Sequence, residues 1–521
     1  MSLVRKFATV GGATLGSRMF GFVREMLMAA ALGAGPMADV FYAAFRFPNL
    51  FRRLFAEGAF NAAFVPLFSK EIEMNGVEGA KRFSEEVFGV LFSALMLITI
   101  GMQLAMPWLV DWIIAPGFSD DPEKSSMTVR LATVMFPYLM CMSLTAMMSG
   151  MLNSLHRYFA AAVAPVFLNV VMISALAYAW WHKADPLTTA WYLSWSVLVA
   201  GVLQLAIVYV AVRQAGIRIG FRRPKMTPNV KRLLVLAIPA AITGGITQIN
   251  QIIGQAVASG KEGAIAALQY ADRIYQLPLG VVGIAVGVVL LPELSRALKA
   301  GQVREAINTQ NRSLEFVLFL TLPAAVGLWV LSEPIIRVLY ERGAFVEENT
   351  AIVASILAIY GIGLPGFVMI KALQPGYYAR EDTKTPMRFT MVSVAVNSGL
   401  AITLFPFLAE RGIATAEVVA GWINTVLLFS TLLWRGDLVW EWALLRRTFL
   451  LFVSAGIMGG GLILALPYAS ASLSSQAGLI EQVLALGCLL VLAVAVYFPV
   501  AFLIGAADIG MIRRNLKRTA S

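Results

Sequence analysis

Long apolar runs separated by short polar interruptions make up most of the chain. Fourteen such runs lie near 8–32, 37–66, 84–114, 127–152, 160–181, 188–212, 233–258, 263–294, 313–332, 350–373, 387–408, 413–434, 448–468 and 480–504. A run of about 20 apolar residues crosses a ~30 Å hydrocarbon layer as one α-helix. None shows the period-two alternation of outer-membrane barrel strands. The pattern therefore predicts an all-α polytopic membrane protein of about fourteen transmembrane helices. The second and eighth runs are longer than one straight crossing needs, which predicts tilted or broken helices. Arg5 and Lys6 precede a run that reads as the first span rather than a cleaved leader.

Composition agrees. Hydrophobic residues make up 59% of the 521 and charged residues 14%, against about 25% charged in soluble domains. A soluble enzyme and a disordered scaffold are excluded. The net charge of +11 does not imply a nucleic-acid partner, because the basic residues are distributed by side. Alternate loops and the two termini hold 27 Lys and Arg, and the opposite loops hold 7. Basic residues collect in cytoplasmic loops, so both termini are expected in the cytoplasm. Cys141 and Cys488 lie inside apolar runs, and His156 and His182 at run ends. These offer neither a disulfide framework nor a metal cluster nor a catalytic triad. With no phosphate-binding glycine loop either, no catalytic residue, metal or cofactor is expected, and the chain does not read as an enzyme.

The chain looks duplicated. Arg5-Lys6 and Lys231-Arg232 open the first and seventh runs at an offset of 226, and Val65-Pro66-Leu67-Phe68-Ser69-Lys70 is matched by Leu291-Pro292-Glu293-Leu294-Ser295-Arg296 at the same offset. Six intervening helices give both copies one orientation. That predicts parallel repeats about an axis along the membrane normal, with a binding site between them. The expected organisation is an N-terminal lobe at 1–215, a basic cytoplasmic loop at 216–232, and a C-terminal lobe at 233–436. Two further spans and a basic tail fill 437–521.

The remaining seven basic residues, Arg18, Arg24, Arg46, Arg52, Arg53, Arg273 and Lys371, fall inside the runs. Each would cost about 2.5–3.5 kcal/mol at the bilayer centre if it faced lipid. Lys371 and Arg53 have stems long enough to reach an interface. The acids inside the runs are Glu25, Asp39, Glu57 and Asp272, so full pairing leaves positive charge over. A cavity with surplus cations suits an anion. Asp39, Arg46 and Arg53 are seven apart and Glu57 follows Arg53 by four, which places them on one helix face as an ion-pair network. Arg52 points away from it. Pro48 and Pro278 are expected to break their helices.

Specific motifs then stand out: Ser17-Arg18-Met19-Phe20-Gly21-Phe22-Val23-Arg24-Glu25, Gly33-Ala34-Gly35 and Asp39, and the run Phe47-Pro48-Asn49-Leu50-Phe51-Arg52-Arg53-Leu54-Phe55-Ala56-Glu57-Gly58-Ala59-Phe60. Ala115-Pro116-Gly117-Phe118, Tyr270-Ala271-Asp272-Arg273, Leu291-Pro292, Pro375-Gly376-Tyr377-Tyr378 and Lys384-Thr385-Pro386 continue them. With these residues the chain resembles, over nearly its whole length, the MurJ (MviN) lipid II flippases of the multidrug/oligosaccharidyl-lipid/polysaccharide exporter superfamily. The resemblance implies two six-helix lobes around a central cavity, with two extra helices lining a groove for a polyprenyl tail. It implies lipid II, the undecaprenyl-pyrophosphate-linked disaccharide-pentapeptide, as substrate, and a multi-pass location in the bacterial cytoplasmic membrane. The family's essential arginines map onto Arg18, Arg24, Arg52 and Arg273, and its important acid onto Asp39. Two departures are Glu25, where Asp is frequent, and Gln276, where some relatives carry Glu.

The expected mechanism is alternating access: the four arginines hold the pyrophosphate by charge-assisted hydrogen bonds while the lobes rock. The family implies either the membrane potential or a coupling ion as energy source. Two alternatives stay open at this point. A drug/cation antiporter of the same superfamily would want an acidic cavity. A membrane enzyme acting on lipid-linked sugars would want catalytic carboxylates or histidines on loops.

Overall fold

A computed structural model describes residues 3–54, 60–439 and 442–507. Among them, ten helices are long and apolar enough to cross a membrane. Among the described residues, each predicted run falls largely on helix. The first helices are α1 (Leu3–Leu32), α2 (Pro36–Leu54), α3 (Phe60–Leu104) and α4 (Met106–Leu109), followed by a π-helical turn at Val110–Ile114 and a 3₁₀ turn at Pro116–Phe118. Next come α5 (Pro122–Met135), α6 (Tyr138–Ser154), α7 (Tyr158–Trp181), α8 (Pro186–Gln214), α9 (Pro228–Ala258) and α10 (Ala264–Lys299). The rest are α11 (Val303–Val330), α12 (Ser332–Tyr340), α13 (Glu347–Tyr378), α14 (Lys384–Leu408), α15 (Glu410–Trp434), α16 (Trp442–Ala469) and α17 (Leu479–Leu503). Helices α1 and α2 carry Arg18, Arg24 and Glu25, and Asp39, Arg46, Arg52 and Arg53, within otherwise apolar stretches.

Helix starts follow local chemistry. Asp121, Asp185 and Thr227 accept backbone N–H groups at the starts of α5, α8 and α9, each followed by proline at the first helical position. There the missing N–H costs nothing. The expected breaks at Pro48 and Pro278 are corrected: α2 runs through Pro48 to Leu54, and α10 runs through Pro278 and Pro292 to Lys299. A proline deletes one donor and crowds one carbonyl, which a helix can absorb as a bend instead of a stop. The long second run is instead divided between α2 and α3. Within α3 the turn comes at Gly76, whose φ of 65° and ψ of −164° suit a residue without Cβ. The short amphipathic α12 falls between two predicted spans. It is stapled by Arg337, which bonds Glu333 at 2.8 Å and Glu341 at 3.2 Å.

Packing divides the chain into two compact units, Met1–Ala266 and Ala267–Ser521. In the first, α7 packs on α1 and α8, and α6 packs on α3 and α8. Its core holds Phe60, Phe64, Phe68 and Phe83, with Phe64 fully buried between the other three at ring separations of 5.3–5.6 Å. Helix α9, expected to open the C-terminal lobe, belongs to the first unit and packs mainly on α3. In the second unit α13 packs against α11 and α15, and α14 against α15. The last two helices dock on α11: Leu451, Ala455, Met458 and Leu462 of α16 and Tyr497 of α17 join Leu318, Phe319 and Leu322. The Tyr497 hydroxyl donates to the Phe319 carbonyl at 2.8 Å, which satisfies the one polar atom of an otherwise apolar contact.

Candidate functional site

The intramembrane charges resolve into distinct environments. Arg24, on α1, is buried and faces α7. Its Nη2 donates to Glu25 at 2.7 Å and its Nη1 to Asn169 Oδ1 at 2.9 Å. Asn169 Nδ2 in turn donates to the Ser17 carbonyl at 3.0 Å, and the Tyr42 hydroxyl donates to the second Glu25 oxygen at 2.6 Å. Glu25 is 2% exposed, and this guanidinium and phenol stabilise its negative charge. Arg24 is thus neutralised inside the first unit in this conformation, and one buried donor, Nε, has no hydrogen-bond partner among the described residues. Arg18, six residues earlier, is exposed and makes no hydrogen bond or ion pair among the described residues.

Asp39, at the start of α2, is completely buried. It accepts from the backbone N–H of Gly263 at 2.6 Å and of Ala266 at 2.9 Å, and pairs with Lys124 Nζ at 3.5 Å. The carboxylate therefore caps the first turn of α10 from another helix, which suits the positive end of the helix dipole. Lys124 also sits 4.2 Å from the Phe118 ring centroid. The backbones crowd here: a Cβ on Gly263 would lie 2.5 Å from the Ala34 carbonyl oxygen, and one on Gly117 would lie 2.5 Å from Ser259 and Gly260 backbone atoms. Gly117 N–H donates to Ser259 Oγ at 2.9 Å. The expected Asp39–Arg46–Arg53 stripe is corrected at its first member. Seven helical residues span about 10 Å, too far for a direct pair, and Asp39 finds Lys124 instead. Arg46 is half-buried. Arg52 and Arg53 lie in the last turn of α2, their side chains outside the described ones, and Glu57 lies outside the described residues.

The second unit carries Asp272 and Arg273 on α10. Asp272 accepts from Gln276 Nε2 one turn on. Arg273 is half-buried and makes no hydrogen bond or ion pair among the described residues. Nearby, Tyr275 stacks on Tyr360 at 4.9 Å, and the Tyr360 hydroxyl donates to Glu417 at 3.1 Å. Lys371 is exposed on α13.

Sequence reasoning missed Asn169, Tyr42 and Lys124 as partners. Asn169 had a legible signal, as a lone amide in the middle of an apolar run. Lys124 had none, because it reads as one of the few basic residues of an outer loop.

The helices, the charges within them and the two-unit packing define a multi-pass membrane protein of the transporter fold. A solved multidrug-resistance transporter of the MATE family, in an inward-facing conformation, matches that fold with a TM-score of 0.66 at 14% identity, over 80% of this chain and 94% of its own. A solved lipid II flippase MurJ, in an inward-closed conformation, matches with a TM-score of 0.77 at 25% identity, over 95% of this chain and 98% of its own. In sequence, the lipid II flippase MurJ family matches residues 28–485. The probable lipid II flippase MurJ of Rhizobium tropici is 75% identical across 99% of this chain and 97% of its own length. That of Rhizobium meliloti strain 1021 is 66% identical across 100% and 97%, and the lipid II flippase MurJ of Burkholderia cenocepacia 33% across 97% and 98%. The chain belongs to the lipid II flippase MurJ family.

Proposed function

We propose that this protein moves lipid II, the undecaprenyl-pyrophosphate-linked peptidoglycan precursor, from the cytoplasmic to the outer leaflet of the bacterial inner membrane. It is a transporter and not an enzyme, and works by alternating access with both termini in the cytoplasm. The observation that carries the reading is charge left over inside spans. Arg18 and Arg273 sit deep in helices and have no carboxylate partner among the described residues. A diphosphate supplies the bidentate acceptor that guanidinium groups match best. Arg52 is assigned to the same clamp. Arg24 joins it by exchanging Asn169 for a phosphate oxygen while Glu25 keeps its other side neutral. Glu25, Asp39, Arg46, Arg53, Glu57 and Asp272 support the clamp as ion-pairing groups.

Movement of net positive charge would couple to the membrane potential at about 2.3 kcal/mol per charge per 100 mV. The test is lipid II translocation in proteoliposomes. Arg18→Ala and Arg273→Ala should each lower the rate at least tenfold, with melting temperature unchanged because neither side chain has a described partner. Parental rates in both would overturn the clamp, and a chemically altered lipid product would overturn the transporter reading.

A further inference from the structure

The segment joining α8 to α9 is not a loose connection. After a turn at Ala215 and Gly216, residues 217–227 have no regular secondary structure and are fastened to α3 at several points. Ile217 is 1% exposed and belongs to the first unit's core, with Ile219 packed beside it. Gly220 N–H and Arg222 Nε both donate to Glu85, at 3.1 and 2.7 Å, and Thr227 Oγ1 donates to Glu86 at 2.9 Å. The Arg222 backbone crosses directly over Gly89, where any side chain would collide with it.

The fastening fixes which side chains point outward. Arg213, Arg218, Arg223, Lys225, Lys231 and Arg232 are all exposed and make no side-chain hydrogen bond or ion pair with described residues. Two large apolar side chains stand among them, Met226 at 65% exposure and Phe221 at 59%, the latter resting edge-on against Phe92 of α3 at 5.9 Å with its remaining surface outward. Positive charge alone would serve to set membrane topology, and a disordered loop would do for that. An ordered strap that buries its isoleucines and leaves Phe221 and Met226 outside needs another reason. The strap also begins one residue after the end of α8, a membrane-length helix, which keeps it beside the headgroups.

We infer that the 215–227 strap, with the basic residues flanking it at the ends of α8 and α9, is a binding surface for anionic phospholipid headgroups of the cytoplasmic leaflet. Arg218, Arg223 and Lys225 contact phosphate oxygens, and Phe221 and Met226 enter the acyl boundary. Juxtamembrane clusters of four to eight basic residues attract anionic leaflets in this way, and interleaved apolar groups add area. The inference uses the cytoplasmic placement of this segment and is independent of lipid II recognition, since none of these residues belongs to the proposed clamp.

The experiment uses the full-length protein in nanodiscs of phosphatidylcholine alone or with phosphatidylglycerol. Retained phosphatidylglycerol is counted by native mass spectrometry, with lipid II transport measured in parallel. The parent should retain phosphatidylglycerol in preference to phosphatidylcholine, and raising salt from 0.05 to 0.5 M should weaken that preference, as screening requires. The variant Arg218→Gln/Arg223→Gln/Lys225→Gln should bind phosphatidylglycerol about a hundredfold more weakly, at about one kcal/mol per basic residue removed. A matched variant at the facing ends of α10 and α11, Arg296→Gln/Lys299→Gln/Arg304→Gln, should behave as the parent, and Phe221→Ser should lie between. Equal losses in both triple variants, no phosphatidylglycerol preference in the parent, or displacement of the lipid by millimolar inorganic phosphate would overturn the inference. A parent protein that retains phosphatidylglycerol but moves no lipid II would count against the proposed transport function and leave the strap standing.

Discussion

Removing the Asp39 carboxylate should release the start of α10. The side chain is fully buried, accepts the Gly263 and Ala266 amides at 2.6 and 2.9 Å, and pairs with Lys124, itself 9% exposed. Asp39→Ala leaves a buried ammonium without its counter-ion and two amides without their acceptor. Removing one partner of a buried pair costs about 3–5 kcal/mol. The loss is local, so hydrogen exchange reads it better than global melting. At 1.4 kcal/mol per decade, amides across 259–266 should exchange at least ~100-fold faster in Asp39→Ala. Asp39→Asn keeps one acceptor and should fall between. Adding Lys124→Met to Asp39→Asn removes the stranded charge and should recover part of the loss, with a coupling of about 1–3 kcal/mol. Unchanged exchange at 259–266, or strictly additive single and double variants, would refute the account of Asp39 as a cap and counter-ion.

Arg24→Ala should destabilise the protein by about 3–5 kcal/mol, because it removes the guanidinium that pairs with the buried Glu25 at 2.7 Å; pairing it with Glu25→Gln should recover much of the melting temperature. Gly117→Ala should cost about 1–3 kcal/mol through collision with the Ser259 and Gly260 backbone, whereas Gly101→Ala, in open space on α3, should be neutral or mildly stabilising in the same thermal assay. Asp382, in the turn after α13, is held well below the usual carboxylate range, first by the Thr385 side chain and then by Arg435. A lowered folded-state pKa contributes stability above the ordinary value near 4 that is lost as pH falls through the lowered one. Protection of the 382–385 turn should therefore hold from pH 7 to about 4 and weaken below, and Asp382→Asn should abolish that pH dependence.

Hydropathy, side-dependent charge and the motif run around Arg52 and Arg53 were enough to read the all-helical membrane class, the helix positions and the family. These are local properties: a span is set by about 20 consecutive residues and a cap by three or four. Even α12 and the continuous α2 depend on a balance within one helix, where a proline's single lost bond competes with the rest of the turn. The partners of the charged groups are another matter. Arg24 meets Asn169 across 145 residues, and Asp39 meets Lys124 across 85 and Gly263 across 224. Helical spacing directed Asp39 toward Arg46 on its own face, and packing gave it to a lysine from a different helix. A buried charge takes whichever opposite group or free amide the fold brings within about 3 Å, so chain order names the charges and only the packed helices choose their partners.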